Sequence, residues 1–381
     1  MIKNYSVLYF FNVTIAVFLL ISCTPSEDSV YDDLSAPDIE ISELFQISED
    51  TLPDDLVFGR IMQLLVAESG EILIVDNQQH SIHLFDNDGT YLSSELTEGE
   101  GPGEVRQIGR VSLSNQNDLL LFDWAQGRLS HYRLQNDTQP ELHHINDLSP
   151  DFNPREFHMT ADGIIYVLEY PSPVEPDVDV IKLNKVGENG EADGDPVMEF
   201  QRDQIIELRN DNNQLLATTS SPHHRRTLFN FYEDRVMIGN SLRVGFEKYD
   251  LSTGERTDSV GFAQPDIPLT EAEKREFIED ITEQMGLEGA QISNLISQMP
   301  DTKGKVQILH YDPDGVVWMY LIGDDENLSE VWIALDENGE ILGRITDMPE
   351  GIIMKAHSGR LYQLAESDTG EQMINVYSYS F

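Results

Sequence analysis

An all-β chain, folded as a six-bladed β-propeller closed by its N-terminal strand and carrying a small helical hairpin insertion, is what this sequence predicts. Three observations predict it: a strand–turn–strand unit that recurs six times, a strand-like run near the N-terminus with no hairpin partner, and a final unit one strand short. The clearest unit lies in residues 71–105. Ile72 and Ile74, then Ile82 and Leu84, alternate with period two, and Asp86-Asn87-Asp88-Gly89 after them has the composition of a tight hairpin turn.

Taken in order, the units run over residues 63–96, 108–145, 156–200, 228–262, 306–345 and 352–379. The third has a loose turn at 187–195, and the sixth stops at three strands. The run at 39–47, with Ile39, Ile41, Leu44 and Ile47, is the strand the sixth unit lacks. Completing the last blade with the first strand removes an exposed sheet edge and fastens the ring. Residues 38–381 are therefore expected to form one closed domain, since repeats override the multi-domain prior that 381 residues would set. The insertion falls at about 268–300. Pro268-Leu269-Thr270 with Glu273 spells a capping box, and Phe277, Ile278, Ile281 and Met285 line one face of a helix that Gly286 can end. Ile292, Leu295, Ile296 and Met299 line a second helix before Pro300. The apolar stripes predict packing against the ring, with a lid or dimer contact as the alternative.

The N-terminus carries an address. Lys3 precedes a mostly apolar run at 7–20, and Leu20-Ile21-Ser22-Cys23 closes it with a small residue before the single cysteine. The run is short for a membrane span and has the layout of a secretory signal. It resembles a bacterial lipoprotein signal, which implies cleavage after residue 22 and lipidation of Cys23 as the membrane anchor. Residues 1–22 are then signal peptide, and 23–37, rich in Asp and Ser, are a flexible acidic tether. No aspartate follows Cys23, which by the same resemblance favours an outer-membrane lipoprotein, periplasmic or surface-facing. Glu27-Asp28 resemble the acidic surface-export signals of Bacteroidota-type lipoproteins.

Composition excludes one class of partner. With 24 Lys and Arg against 69 Asp and Glu, the formal charge is −45, which repels nucleic acid. The loop Gly99-Glu100-Gly101-Pro102-Gly103-Glu104 has the glycines of a phosphate cradle but lacks the Lys-Ser/Thr and the following helix, and its carboxylates oppose an anion. It reads as an inter-blade corner in which Gly takes positive φ and Pro102 stiffens the turn. The Asp-rich turns at 86–89, 312–315 and 336–339 lack the closing Glu of an EF-hand and read as hairpin chemistry, and the adjacent His143 and His144 point to opposite faces of a strand. His223-His224-Arg225-Arg226 is the dense basic cluster of the chain and a candidate anion or ligand site through bidentate Arg contacts.

After the hairpin LFDNDGTYL (residues 84–92), the Gly-x-Gly-Pro-Gly-Glu loop resembles that of the six-bladed β-propeller lipoproteins of Bacteroidota and their relatives, similar to NHL-repeat propellers. The resemblance implies fold and anchoring, and no particular reaction. No linear catalytic signature is present, and no metal-ligand set or cofactor is indicated. The expectation is a binding or interaction module for a glycan, peptide or protein partner. The alternative is a metal-assisted hydrolase or lyase, lactonase-like, with a divalent cation in the central channel, where residues distant in sequence converge.

Overall fold

Apolar runs punctuated by Asp, Asn and Gly turns fold into six antiparallel blades, five of them paired in chain order from the channel outward and the sixth completed by the N-terminal strand. The computed structural model describes residues 26–29, 36–53, 56–114, 118–135, 139–148, 154–171, 180–210, 214–282, 289–322, 331–367 and 369–381. Blade 1 holds Ile61–Val66, Ile72–Asp76, Ser81–Phe85 and Tyr91–Glu95, and blade 2 holds Ile108–Leu113, Asp118–Asp123, Arg128–Gln135 and Gln139–Asp147. Blade 3 is Pro154–Met159, Ile165–Glu169, Val180–Lys185 and Met198–Gln201; blade 4 is Thr227–Tyr232, Arg235–Asn240, Arg243–Asp250 and Arg256–Ala263. Blade 5 is Val306–Asp312, Val316–Leu321, Val331–Asp336 and Ile341–Ile345, and blade 6 is Ile352–His357, Arg360–Glu366, Gln372–Ser380 and, last, Glu40–Ile47. The turns use the predicted chemistry. The Asp86 carboxylate accepts the N–H groups of Asp88 and Thr90 at 3.0 and 2.8 Å while Gly89 sits at φ +82°, and Asp336 and Gly339 repeat the arrangement.

Side chains alternate along each strand, so each sheet buries both faces against its neighbours. The buried residues form one apolar cluster at each of the six blade interfaces. The ring closes as predicted: Glu40–Ile47 runs antiparallel to Gln372–Ser380, from Glu40 opposite Ser380 to Ile47 opposite Ile374, with a register shift between Glu43 and Phe45. Ile47 is wholly buried in the cluster between blades 6 and 1, and such burial contributes roughly 1.5–3 kcal/mol. Upstream, Arg344 exchanges backbone hydrogen bonds with Pro37 and Ile39 and its Nε donates to Asp38 at 2.9 Å, while Ser26–Ser29 lies parallel to Arg256–Ala263. The chain thus runs along the outer edges of blades 4 and 5 before completing blade 6. Residues 1–25, with the predicted signal and Cys23, lie outside the described residues.

Polar side chains tie blade to blade. The Gln63 amide brackets the backbone of Val111, donating to its carbonyl at 3.1 Å and accepting its N–H at 2.8 Å. The imidazole of His158 meets the Glu233 carbonyl at 2.6 Å, and that of His310 meets the Ile353 carbonyl at 2.8 Å. Asp76 and Asp123, both fully buried, end the second strands of blades 1 and 2. Each accepts backbone N–H groups from its own loop and from the segment leading into its inner strand, Gly59 and Arg60 or Arg106. A buried carboxylate is tolerated because these donors replace its water.

The helical insertion forms as α1 (Glu271–Thr282) and α2 (Ala290–Ile296). Its capping box is made: Glu273 accepts from the N–H of Thr270 at 2.7 Å, and the Glu273 N–H donates back to Thr270 Oγ1 at 3.3 Å. Met285 and Gly286 lie outside the described residues. The stripe of Ile278, Leu295, Ile296 and Met299 packs with Leu269 and with Ile206, which belongs to a hairpin, Ile206–Arg209 with Leu215–Thr219, that sequence patterning missed. The apolar stripes find their cover in that second insertion, between blades 3 and 4.

Burial holds the His310 imidazole down to about 4, partly offset by its bond to the Ile353 carbonyl. The unfolded chain takes up this proton near pH 6.5, so the contribution is full above 6.5 and is lost as pH falls towards 4, about 3 kcal/mol in all. Denaturant unfolding of His310→Asn should therefore show a shallower loss of stability from pH 7 to 4 than the parent. An unchanged pH slope contradicts the assignment.

Candidate functional site at the channel mouth

Inner strands all begin on one face of the ring, here called the front. The blade-to-blade connections and the loops between second and third strands lie there too, so both insertions flank the channel on this side. The inner strands of blades 3 and 4 pack least closely. At that gap a cavity of about 420 Å³ opens, within the usual range of small-molecule sites. Its walls come from four blades: Arg110 from blade 2, Arg155, Glu156 and Tyr170 from blade 3, Thr227, Leu228 and Phe229 from blade 4, and Gln307, Ile308 and Leu309 from blade 5.

The charged groups are placed by backbone geometry. Arg110, third residue of its strand, donates from Nε to the Arg155 carbonyl at 2.9 Å and pairs through Nη2 with Glu156 at 2.5 Å. About a third of each side chain still faces open space, 32 % and 38 %, so the pair is deep in the ring yet reachable. Burial pushes the Glu156 carboxyl up, and Arg110 opposes that shift. Burial and the neighbouring Asp203 carboxylate push the Tyr170 hydroxyl far up, so it stays protonated and serves as a donor. Asp203, itself raised by burial, accepts the Thr227 N–H at 2.7 Å. The Arg155 guanidinium is exposed and has no carboxylate within 4 Å among the described residues. The mouth therefore offers guanidinium and amide donors, one carboxylate acceptor and an apolar wall.

The basic cluster predicted from sequence borders this mouth, and its members divide. His224 is 3 % exposed; its ring bonds Ser221 Oγ at 2.7 Å and the Gln298 carbonyl at 3.1 Å, pinning the connection to the end of α2. His223 accepts the Gly304 N–H at 3.3 Å, and Arg225 donates to the carbonyls of Gln201 and Arg202. Arg226 reaches the cavity wall, with Nη2 3.4 Å from the Gln307 carbonyl and a buried Nε that has no partner among the described residues. Arg110, Arg155, Glu156 and Tyr170 carried no sequence signal. Each sits in a short strand or loop start where a polar residue reads as solvated.

At the inter-blade corner, Gly103 takes φ +82°, whereas Gly99 and Gly101 are glycines for another reason: a Cβ there would meet the Glu104 carboxylate at 2.0 and 3.0 Å. Glu104 folds back to accept the Gly101 N–H at 2.7 Å, and the buried Arg128 gathers the carbonyls of Glu100, Gly101 and Glu104. Among the described residues no group of three or more His, Cys, Asp and Glu is placed to hold a metal ion, so the divalent cation expected for a hydrolase or lyase has no ligand set there.

Ring, closure and front-face cavity define a six-bladed β-propeller with an open channel mouth. Residues 38–163 match the DUF5128 family, described as 6-bladed beta-propeller. Among solved structures, a Bacteroides fragilis NCTC 9343 protein provisionally assigned as exported is 12 % identical and covers 94 % of this chain and 98 % of its own, with a TM-score of 0.53. A duf4221 family member from Bacteroides vulgatus is 11 % identical, over 91 % of this chain and 99 % of its own, at 0.56. Both share the fold. A Staphylococcus aureus virginiamycin B lyase, 10 % identical over 90 % of this chain and 99 % of its own, scores 0.43 and carries no argument about activity. No curated protein sequence matches.

The corner gives a direct test. Gly99→Ala should push the Glu104 carboxylate off the Gly101 N–H and destabilise the protein by about 0.5–1.5 kcal/mol. Adding Glu104→Ala should recover part of that loss, so the double-mutant cycle is non-additive. Strict additivity in thermal unfolding would show that the two do not meet.

Proposed function

We propose that this protein is a lipid-anchored, extracytoplasmic binding module that takes its ligand at the front mouth of the propeller channel. The observation that carries the reading is the cavity of about 420 Å³ in which Arg110 and Glu156 remain reachable at the level of the inner strands. In a chain of net charge −45, the lining itself carries two arginines, Arg110 and Arg155, against one carboxylate, Glu156, with Arg226 and Asp203 at its border. Low-dielectric walls focus the field of such a lining onto a small anionic group. The apolar side, Leu228, Phe229 and Ile308, supplies the contact area that ordinary ligand sites use for affinity. The Leu20-Ile21-Ser22-Cys23 tetrapeptide supports the anchor. No helix among the described residues is long and apolar enough to cross a membrane.

The test has two arms. Cys23→Ala should move the protein from the membrane to the soluble fraction, and continued retention would sink the anchor. A glycan and peptide array probed with the parent and with Ile308→Trp or Leu228→Trp, which fill the cavity, should return ligands that both variants lose. Ligands bound equally well by the filled variants would place the site elsewhere.

A further inference from the structure

On the same face as this mouth, outside its lining residues but against the start of the strand that carries Arg110, stands a feature the binding reading does not use. Trp124 is 60 % exposed, whereas the other two tryptophans, Trp318 and Trp332, are 0 % and 4 % exposed. Trp124 directly follows the second strand of blade 2 and so lies on the front face. Its N–H donates to the Gln107 carbonyl at 3.1 Å, just before the inner strand that carries Arg110. The loop after it is locked, because the buried Asp123 accepts the N–H groups of Ala125 and Gln126 at 3.0 and 3.1 Å. Gly109 leaves room for it: a Cβ there would meet Trp124 Cβ at 2.9 Å. Tyr170 follows the second strand of blade 3 in the same way and lines the cavity. Two aromatic residues thus occupy equivalent positions on adjacent blades, next to strands that bring Arg110, Arg155 and Glu156 to the mouth.

Resting on the channel-mouth reading, we propose that the ligand is an acidic saccharide, a glycan bearing an isolated uronic-acid residue, with Trp124 stacking one sugar ring and Arg155 pairing with its carboxylate. An exposed, backbone-locked indole is a flat apolar plate that loses little conformational freedom on binding, and its partner is the C–H face of a ring. The edges of such a ring carry hydroxyls that both donate and accept, matching the mixed set of Glu156, Gln307 and the Arg110 guanidinium. Arg155, without a carboxylate within 4 Å among the described residues, has the planar fork that reads a carboxylate bidentately. Net charge narrows the class further. A densely anionic polyuronate meets the repulsion of the whole surface along its length, whereas a single carboxylate inside the mouth meets Arg110 and Arg155 against one lining carboxylate, Glu156.

Trp124 is its own reporter, because the other two indoles are shielded from solvent quenchers. Titrating the full-length protein with an aldobiouronic acid should change the exposed tryptophan emission and protect it from acrylamide. The neutral disaccharide made by reducing the carboxyl should bind at least about tenfold more weakly, and Arg155→Gln should cost about tenfold to a hundredfold in Kd. Trp124→Ala should abolish the signal and weaken binding measured by calorimetry. Equal binding of the acidic and neutral disaccharides, or affinity unmoved by Arg155→Gln, overturns the proposal. The two readings fail separately. Array peptides that bind at the mouth and are lost in Ile308→Trp, with no uronate binding, sink the saccharide and leave the channel reading standing. Uronate binding untouched by Ile308→Trp sinks the channel reading itself.

Discussion

The pairing of Glu40–Ile47 with Gln372–Ser380 is the interaction on which the rest of the structure depends, because it converts a row of sheets into a ring. Each blade is a four-stranded sheet apolar on both faces and has no stable existence with either face in water. Five interfaces arise between blades adjacent in sequence. The sixth, between blades 6 and 1, forms only if the two ends of the chain meet, and Ile47 is the buried side chain that the N-terminal strand brings to it. Closure also fixes the channel, whose width is set by how the six inner strands pack. Where that packing is loosest, between blades 3 and 4, the cavity opens, and at the far end of the same strands His158 draws the two blades together.

Electrostatics then distinguishes this mouth from the rest of the surface. The protein spends most of its carboxylates on solvated loops and on turn geometry, as at Asp86 and Asp336, and a few on buried backbone capping, as at Asp76 and Asp123. The arginines of the inner strands are used differently. Arg110 is fixed by a carbonyl and by Glu156 while keeping part of its surface open, which is how a binding group is held in position without being consumed. The cap of α1, α2 and the hairpin at 206–219 rises on the same face, so the fold concentrates its irregular elements where the channel opens.

Much of the architecture was legible from residue order because propeller blades obey local rules. Period-two runs gave the second and third strands of blade 1 within one residue, and Asp-Asn-Asp-Gly gave a turn that indeed has Gly89 at positive φ. Thr270 and Glu273 gave the start of α1 because a capping box is a four-residue signal. The missed hairpin is short and separated by Asn-rich polar residues, so its apolar faces, Ile206 and Leu208, are too few to register as periodic. The site was illegible for a different reason. Arg110, Glu156, Leu228 and Gln307 are far apart in the chain and become neighbours only through ring geometry. The basic cluster at 223–226 was visible as composition, but composition could not tell that His224 is a structural pin while Arg226 borders the cavity.

The central claim is that ligand enters the front of the channel rather than an outer blade edge or the acidic loops. Hydrogen exchange of the full-length protein, with and without the strongest array ligand, tests it most directly, since amide protection maps the contact along the chain. The account predicts added protection at the front ends of the inner strands, residues 108–111, 154–157, 227–230 and 306–309, and in the loop at 124–127. Protection confined to outer strands such as 256–263 or 341–345, with the inner strands unchanged, would contradict it.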